Sequence, residues 1–595
     1  MKKRILILVM CISMVCGGLL NSCVGNCTVK FDSNGGTEVE KQIVTIGSKV
    51  EKPTEPTKEG YTFEGWYLDG EKWSFVKDRV FNDITLKAKW EAIEGYVPKV
   101  PEEPSEPEVP ENQLSPAFDG VAKRYSGNFT VVTETDRNRG QMFNVVDLVE
   151  ADNLGDSTII RAVAERNNLI KSNFGVTIKR RQEASIYNFV NNAIESEEVA
   201  YDAFMVGVST GLAIACKGGV LDLDVDTQYL DLSGDWWDQG IRENLLLARG
   251  SYIAVGDLLT ADKDATWCVL FNKANLSKMN KGVNETVLYN LVISGDGVQG
   301  GWTIDKLVAY AKQHYIEENN TDTNGQIYDP GYTGNGMYGY YTQRETATVL
   351  LQSGGFTPTI VDTTELCGVV DNLNNNKQFD EAIMKVKSVF GDVVDQPWFL
   401  ELDTVCYGGA PGEDRWQTHA RGSFANNRAT FYMCHIATID LLSDMQSDFG
   451  VLPIPKLYED QLDYANTIQY SNAHCYIIPD RNKEDLNEKS GYILEAMAYY
   501  SSQEFADTES LNYAYYYKVL RGKGTRDGAS WAMLDLIFDN RVYDLACALN
   551  IASVNNVIQN AVCKAEGNWT SSKQASLGAL QYRIYDQLEI LVMGR

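Results

Sequence analysis

Tyr201-Asp202-Ala203-Phe204-Met205-Val206-Gly207-Val208-Ser209-Thr210-Gly211 is an apolar run that ends in small and hydroxyl-bearing residues. A short run of this kind, closed by turn formers, fits a strand buried on both faces, as in a sheet covered by helices. In such sheets ligands bind beyond the carboxyl ends of the strands. Ser209 and Thr210 are therefore candidate ligand contacts, with backbone turn formation as their competing role. The flanking sequence alternates helix and strand. Ile160, Val163 and Ala164 fall at helical spacing behind Asp156 or Ser157 as N-cap, and Asn167 interrupts that stripe. Val176 and Ile178 mark a short strand, and Thr303 caps a helix with Ile304, Leu307, Val308 and Ala311 on one face. The alternation predicts an α/β architecture.

The chain has 595 residues, enough for about three or four compact units. Apolar residues at 44% and charged residues at 23% describe a globular body. A formal charge of −28 repels phosphate backbones, which argues against a nucleic-acid partner. The 12 cysteines contain no CxxC pair, so the usual zinc and redox motifs are missing. Those of the body are read as buried small apolar residues or as bridges of undetermined pairing. Lys2, Lys3 and Arg4 precede an apolar run from Ile5 to Leu20, too short to span a bilayer and typical of a secretory signal. Leu20-Asn21-Ser22-Cys23 resembles a bacterial lipobox. The expectation is a signal peptide over 1–22, lipidation at Cys23, and an anchored N-terminus over 23–26 outside the cell.

Residues 27–92 read as a small β unit. Thr28 to Phe31 alternate, Asn34-Gly35 is a hairpin turn signal, and Leu86, Ala88 and Trp90 share one strand face. Together with Gly60-Tyr61-Thr62-Phe63-Glu64-Gly65-Trp66-Tyr67 and the closing Lys87-Ala88-Lys89-Trp90, the unit resembles the Listeria–Bacteroides repeat of the internalin B type. That resemblance implies a small β-grasp-like module. Residues 93–118 carry Pro98, Pro101, Pro104, Pro107, Pro110 and Pro116 among glutamates. They predict an extended linker, on the order of 70 Å at about 3.1 Å per residue.

From about residue 140 to the end, within a domain taken as residues 119–595, the chain resembles the family 1 type of extracellular solute-binding proteins of carbohydrate ABC transporters. Several stretches carry the match, in order: Arg161 to Asn167 with Phe174-Gly175-Val176, Tyr201-Asp202, Gly219-Val220-Leu221-Asp222-Leu223, Leu232 to Trp237, Val255-Gly256-Asp257, Phe271-Asn272-Lys273, Gly301-Trp302-Thr303, Asn427 to Phe431, Asp448 to Lys456 and Ile478-Pro479. The resemblance implies an α/β, two-lobed periplasmic-binding-protein-like fold with an interlobe cleft and several chain crossings. It implies a carbohydrate solute, delivery to an ABC permease, no cofactor and no enzymatic activity.

Candidate ligand contacts follow from chemistry and place. Trp236 and Trp237 are adjacent, so on an extended stretch they point opposite ways, and Trp236 is the candidate platform with core packing as its competing role. Asp257 follows the apolar run Tyr252 to Val255 and could accept two hydroxyls. Ser353-Gly354 offers close backbone approach. Trp416, in a polar loop, and Arg421 join them, as do Tyr470, Ser471 and Asn472 ahead of the strand that ends at Pro479. Asn320 to Gly325 matches half of a calcium loop but has Gly331 where a bidentate glutamate is needed, so a polar turn is the expectation. HExxH, GxSxG and the P-loop pattern are absent, and His314, His419, His435 and His474 lack metal spacing. A surface glycan adhesin and a receptor for a non-sugar solute such as a peptide are the alternative readings, with an extracellular hydrolase as a third.

Overall fold

The structure is a computed structural model that describes residues 26–37, 39–45, 48–58, 61–68, 70–75, 77–80, 82, 84–92, 114–120, 122–135, 148–150, 157–196, 200–293, 301–317, 327–329, 332–390, 396–407, 414–504, 509–525, 527–564 and 567–593. The lipobox, most of the proline-rich segment and the calcium-like loop lie outside these residues. The chain divides into two units, one carrying residues 26–92 and the other the described residues from 114 onward.

The first unit is a five-stranded sheet in the order β2-β1-β5-β3-β4, built from β1 (Asn26–Asp32), β2 (Val39–Thr45), β3 (Tyr61–Leu68), β4 (Glu71–Lys72) and β5 (Ile84–Ala92). β1 pairs antiparallel with β2 and parallel with β5. Asn34 and Gly35 both have positive φ at the β1–β2 connection, as the turn signal predicts. Leu86, Ala88 and Trp90 are buried together with Phe31 and Trp66. The Trp90 indole donates to the Ser33 carbonyl at 2.9 Å, which ties the last strand to the first turn.

The second unit contains two larger sheets, one per lobe. Lobe 1 holds β6 (Asn128–Glu134), β7 (Thr177–Glu183), β8 (Ala203–Gly207) and β16 (His474–Ile477) in the order β16-β8-β6-β7. Lobe 2 holds β9 (Trp267–Asn272), β10 (Tyr338–Thr342), β13 (Phe399–Glu401), β14 (Ala429–His435) and β15 (Phe449–Leu452) in the order β13-β10-β14-β9-β15. A short hairpin, β11 (Thr359–Val361) with β12 (Val369–Asp371), stands apart. Every residue of β8, β9 and β14 is buried, which explains runs without alternation. The predicted helices form over Thr158–Phe174 and Ile304–Gln313. The Thr303 side chain accepts from Lys306 N, while Asn167 donates to the Val149 carbonyl at 2.8 Å and so serves a polar contact inside its helix stripe.

Leu114 to Phe118, assigned to the linker by composition, pack on lobe 1 instead. Phe118 stacks on Tyr492 at 4.0 Å between ring centroids, and the buried Ser115 hydroxyl donates to Glu495 at 2.9 Å.

The lobes are joined by three adjacent extended segments. Trp267 N donates to Thr467 O and Gln469 N to Ala265 O, while Asn466 N donates to Asn540 O and Val542 N to Asn466 O. Segments 265–267, 466–469 and 540–542 thus form one small hydrogen-bonded ribbon, the geometry of a hinge. The first crossing falls at Ala265 to Trp267, just ahead of the Phe271-Asn272-Lys273 stretch that carried the resemblance.

Candidate functional site

The registers fix where the two lobes can meet a ligand. In lobe 1, β6, β7 and β8 are parallel, and β16 enters antiparallel with His474 opposite Gly207. In lobe 2, β10, β13 and β14 are parallel, and β9 begins at Trp267 opposite His435. Both β9 and β16 begin as the chain comes off the hinge. The carboxyl ends of both sheets therefore abut the hinge ribbon, where α/β sheets place their ligands.

The floor of this site is the turn Gln469 to Ala473. Its backbone is held by lobe 1: Ser209 N donates to Tyr470 O at 3.1 Å and Val208 N to Ala473 O at 2.8 Å. Its side chains reach lobe 2, with Gln469 Nε2 donating to Glu345 Oε2 at 2.7 Å. Asn472 donates in turn to Gln469. Ser209, Thr210, Ser471 and Asn472 are thus brought together, with Ser471 exposed and the other three half-buried.

The lobe 2 wall follows β10, β13 and β14. Arg344 Nε donates to Glu401 at 2.5 Å, and Arg344 N donates to Asp403 at 2.6 Å. Tyr407 is 67% exposed and stands edge-on to Trp416 at 5.6 Å. Burial raises the Tyr407 phenol pKa, and the charges of Asp403 and Glu345 raise it further, so all three share this wall. Arg421 is nine-tenths buried and bonds Asp414 at 3.3 Å. Burial and the Arg421 charge push His435 down to about 3, so its ring is a neutral one packed on Trp267 at 4.0 Å. Burial pushes the Glu345 carboxyl up to about 7, against the Gln469 hydrogen bond.

Other candidates lie elsewhere. Trp237 donates to the buried Glu495 at 3.0 Å, and Trp236 packs edge-on to Tyr499 at 5.0 Å. Both indoles pack on the helix Glu484–Ser502 and serve the lobe 1 core, so they do not point opposite ways and Trp236 is not a platform in the cleft. The Tyr470 phenol turns away from the floor and donates to Gln352 at 3.0 Å. Ser353 is buried at the far end of helix Thr346–Ser353, with its carbonyl taken by Gln461 at 2.6 Å. A Cβ on Gly354 would meet Leu457 at 2.9 Å, so this glycine serves close packing. Asp257 lies near the hinge with its carboxylate 3.3 Å from Lys263.

Sequence reasoning missed Arg344, Glu345, Asp403, Tyr407 and Gln469. A signal existed for the first two: Tyr338-Gly339-Tyr340-Tyr341-Thr342 is another apolar run, and Gln343-Arg344-Glu345 is its polar end. Gln469 has no such signal, since its role depends on contact with Glu345, 124 residues away. Among the described residues no group of three or more His, Cys, Asp or Glu is placed to hold a metal, and no helix is long and apolar enough to cross a membrane. The nine described cysteines are all buried, and none forms a disulfide with another described cysteine.

Residues 28–89 match the family model of the Listeria-Bacteroides repeat domain. Over this region the chain is 48% identical across 67 residues to a protein of Evansella cellulosilytica described as a Gly-rich membrane protein, and 44% identical across 69 residues to Internalin H of Listeria monocytogenes. These matches cover 11% of this chain and span only 8% and 12% of those relatives. Among solved structures, the chain is similar to an ABC substrate-binding protein from Listeria monocytogenes in complex with cycloalternan (TM-score 0.46, 13% identity, 78% of this chain and 100% of that one). It is also similar to the galacto-N-biose/lacto-N-biose I-binding protein of Bifidobacterium longum in complex with lacto-N-biose (TM-score 0.46, 12% identity, 78% and 97%). Maltose-bound T. maritima MalE3 is a further likeness (TM-score 0.43, 14% identity, 78% and 100%).

Proposed function

We propose that the chain is an extracellular solute-binding lipoprotein, anchored through Cys23, that captures a mono- or oligosaccharide in its interlobe cleft and delivers it to an ABC permease, without catalysing a reaction. The observation that carries the reading is the convergence of two sets of strand ends on one hinge, with an exposed aromatic beside fixed polar groups. Tyr407 offers a flat apolar face for a sugar ring. Glu345 and Asp403 accept hydroxyl protons, and Asn472 and Arg421 donate. Ser209 and Thr210 meet the same ligand from lobe 1, so its binding draws the lobes together by a hinge motion. Trp416 buttresses Tyr407. The hydrogen-bonded ribbon at 265–267, 466–469 and 540–542 supplies the axis.

Isothermal titration of the mature chain against a panel of mono- and oligosaccharides, with peptides and polyamines alongside, tests the reading. Saturable binding of a sugar is expected, accompanied by a smaller radius of gyration in X-ray scattering. Tight binding of a peptide with every sugar silent would overturn the substrate class.

A further inference from the structure

Across the hinge ribbon from the Gln469–Glu345 contact lies a cavity of about 350 Å³. Its walls come from both lobes and from the hinge. Asn244, at the end of helix Gln239–Asn244, belongs to lobe 1, Gln352 and Thr357 to lobe 2, and Val542 and Tyr543 to the third hinge segment. Ile360 and Val369, from the β11–β12 hairpin, add an apolar flank.

The polar groups here are arranged for a ligand. Gln352 is 3% exposed, and its Oε1 accepts from Thr467 at 3.1 Å and Tyr470 at 3.0 Å. Those two bonds fix the amide, and its Nε2 donors meet no acceptor among the described residues. The nitrogen opens onto the cavity, where the acceptor of a ligand can take the place of water. Asn244 spends its Nδ2 on the Gly240 carbonyl at 2.8 Å, which leaves its Oδ1 to accept. The charged groups nearby are already matched. Arg541 is paired with Asp262 at 2.9 Å and Asp238 at 2.5 Å, and Asp544 accepts from Thr359 N, Thr359 Oγ1 and Cys547 N. An ionic ligand would find no open counter-charge and would lose its hydration.

We infer that this cavity is a second binding site, for a small uncharged polyhydroxy molecule, and that its occupant bridges the two lobes behind the hinge. Hydroxyl oxygens accept from Gln352, a hydroxyl proton is donated to Asn244, and the carbon face lies on Val542 and Val369. Rotation about the ribbon moves Asn244 relative to Thr357, so occupancy and lobe position are linked, and linkage acts equally in both directions. The inference does not depend on what the cleft binds.

Saturation-transfer NMR on the mature chain, with erythritol and myo-inositol as probes, tests it. Binding of at least one probe is expected, and a crystal soaked with it should show density beside Gln352. Val542→Trp fills the cavity from a half-buried position and should abolish the signal. Asn244→Leu should weaken binding roughly three- to tenfold, the loss of one hydrogen bond. Tyr407→Ala, in the cleft, should leave it unchanged. Silence of both probes overturns the inference. So does a signal that survives Val542→Trp or that disappears in Tyr407→Ala, since either places the probe elsewhere. Loss of sugar binding at the cleft with retained polyol binding would count against the transport reading alone.

Discussion

Two aromatic residues with opposite fates show what one position decides. Tyr407 is largely exposed beside Trp416, while Trp236 sits in the lobe 1 core against Tyr499. Removing the Tyr407 ring should weaken sugar binding about tenfold, equivalent to about 1.4 kcal/mol, which is within the range of an aromatic contact. Its Tm should hardly move, because little packing is lost. Trp236→Ala should instead destabilise the fold by about 3–5 kcal/mol, the usual range for an emptied aromatic site in a core. Calorimetric Tm and titration of both variants would separate the two roles, and a Trp236→Ala protein of unchanged Tm would refute the core assignment. The sequence alone could not assign these roles. An extended stretch would send adjacent tryptophans to opposite faces, but both turn to one helix, Glu484–Ser502, some 250 residues downstream (258 separate Trp237 from Glu495).

At the scale of elements, that helix carries a buried carboxylate with a measurable consequence. Glu495 accepts from Ser115, from Trp237 and from Asp231 N, yet burial still pushes its carboxyl up to about 7 from an ordinary 4.5. A raised carboxylate holds its proton in the folded chain after the unfolded chain has released it. Stability conferred through this group is therefore fully present below about pH 4.5 and is lost as pH rises through about 7. Glu345 and Asp264 are pushed the same way, also to about 7, so their effects add in sign. Chemical denaturation at pH 5.5 and pH 8 should give a lower midpoint at pH 8, and Glu495→Gln should flatten the difference. An unchanged slope in the variant would show that Glu495 is ionised throughout. The helix that begins at Ile304 belongs to the legible part of the molecule. Thr303→Ala should cost about 1 kcal/mol, since a local cap with a local apolar stripe made it readable. The lobe 2 wall was not readable in this way. Arg344 follows β10 while Asp403 and Tyr407 follow β13, and only the pairing of those two strands brings them together.

At the scale of the molecule, the two units should behave differently when cut free. Residues 27–92 bury Val29, Phe31, Trp66, Leu86 and Trp90 in a core of their own. Expressed alone they should unfold in a single cooperative transition by circular dichroism. A fragment from 114 to 260 should not fold, because lobe 1 takes β16 and the helix Glu484–Ser502 from far downstream. A cooperative transition in that fragment would show that lobe 1 is autonomous. The two-lobed plan was legible from the order of short stretches along the chain. The hinge ribbon was not, since its three segments have no shared local pattern and are defined by their mutual hydrogen bonds.

The interleaving of the lobes also bears on the export that the proposed extracellular role requires. Gly207 at the end of β8 meets Cys475 of β16 across 268 residues of sequence. Contacts this remote form late, because the intervening chain must first be ordered. A nascent polypeptide therefore has no finished lobe until most of its length has emerged. The topology that builds the cleft also postpones its assembly, which on the extracellular role proposed above would keep the chain threadable during export and let it close into its working form on the far side.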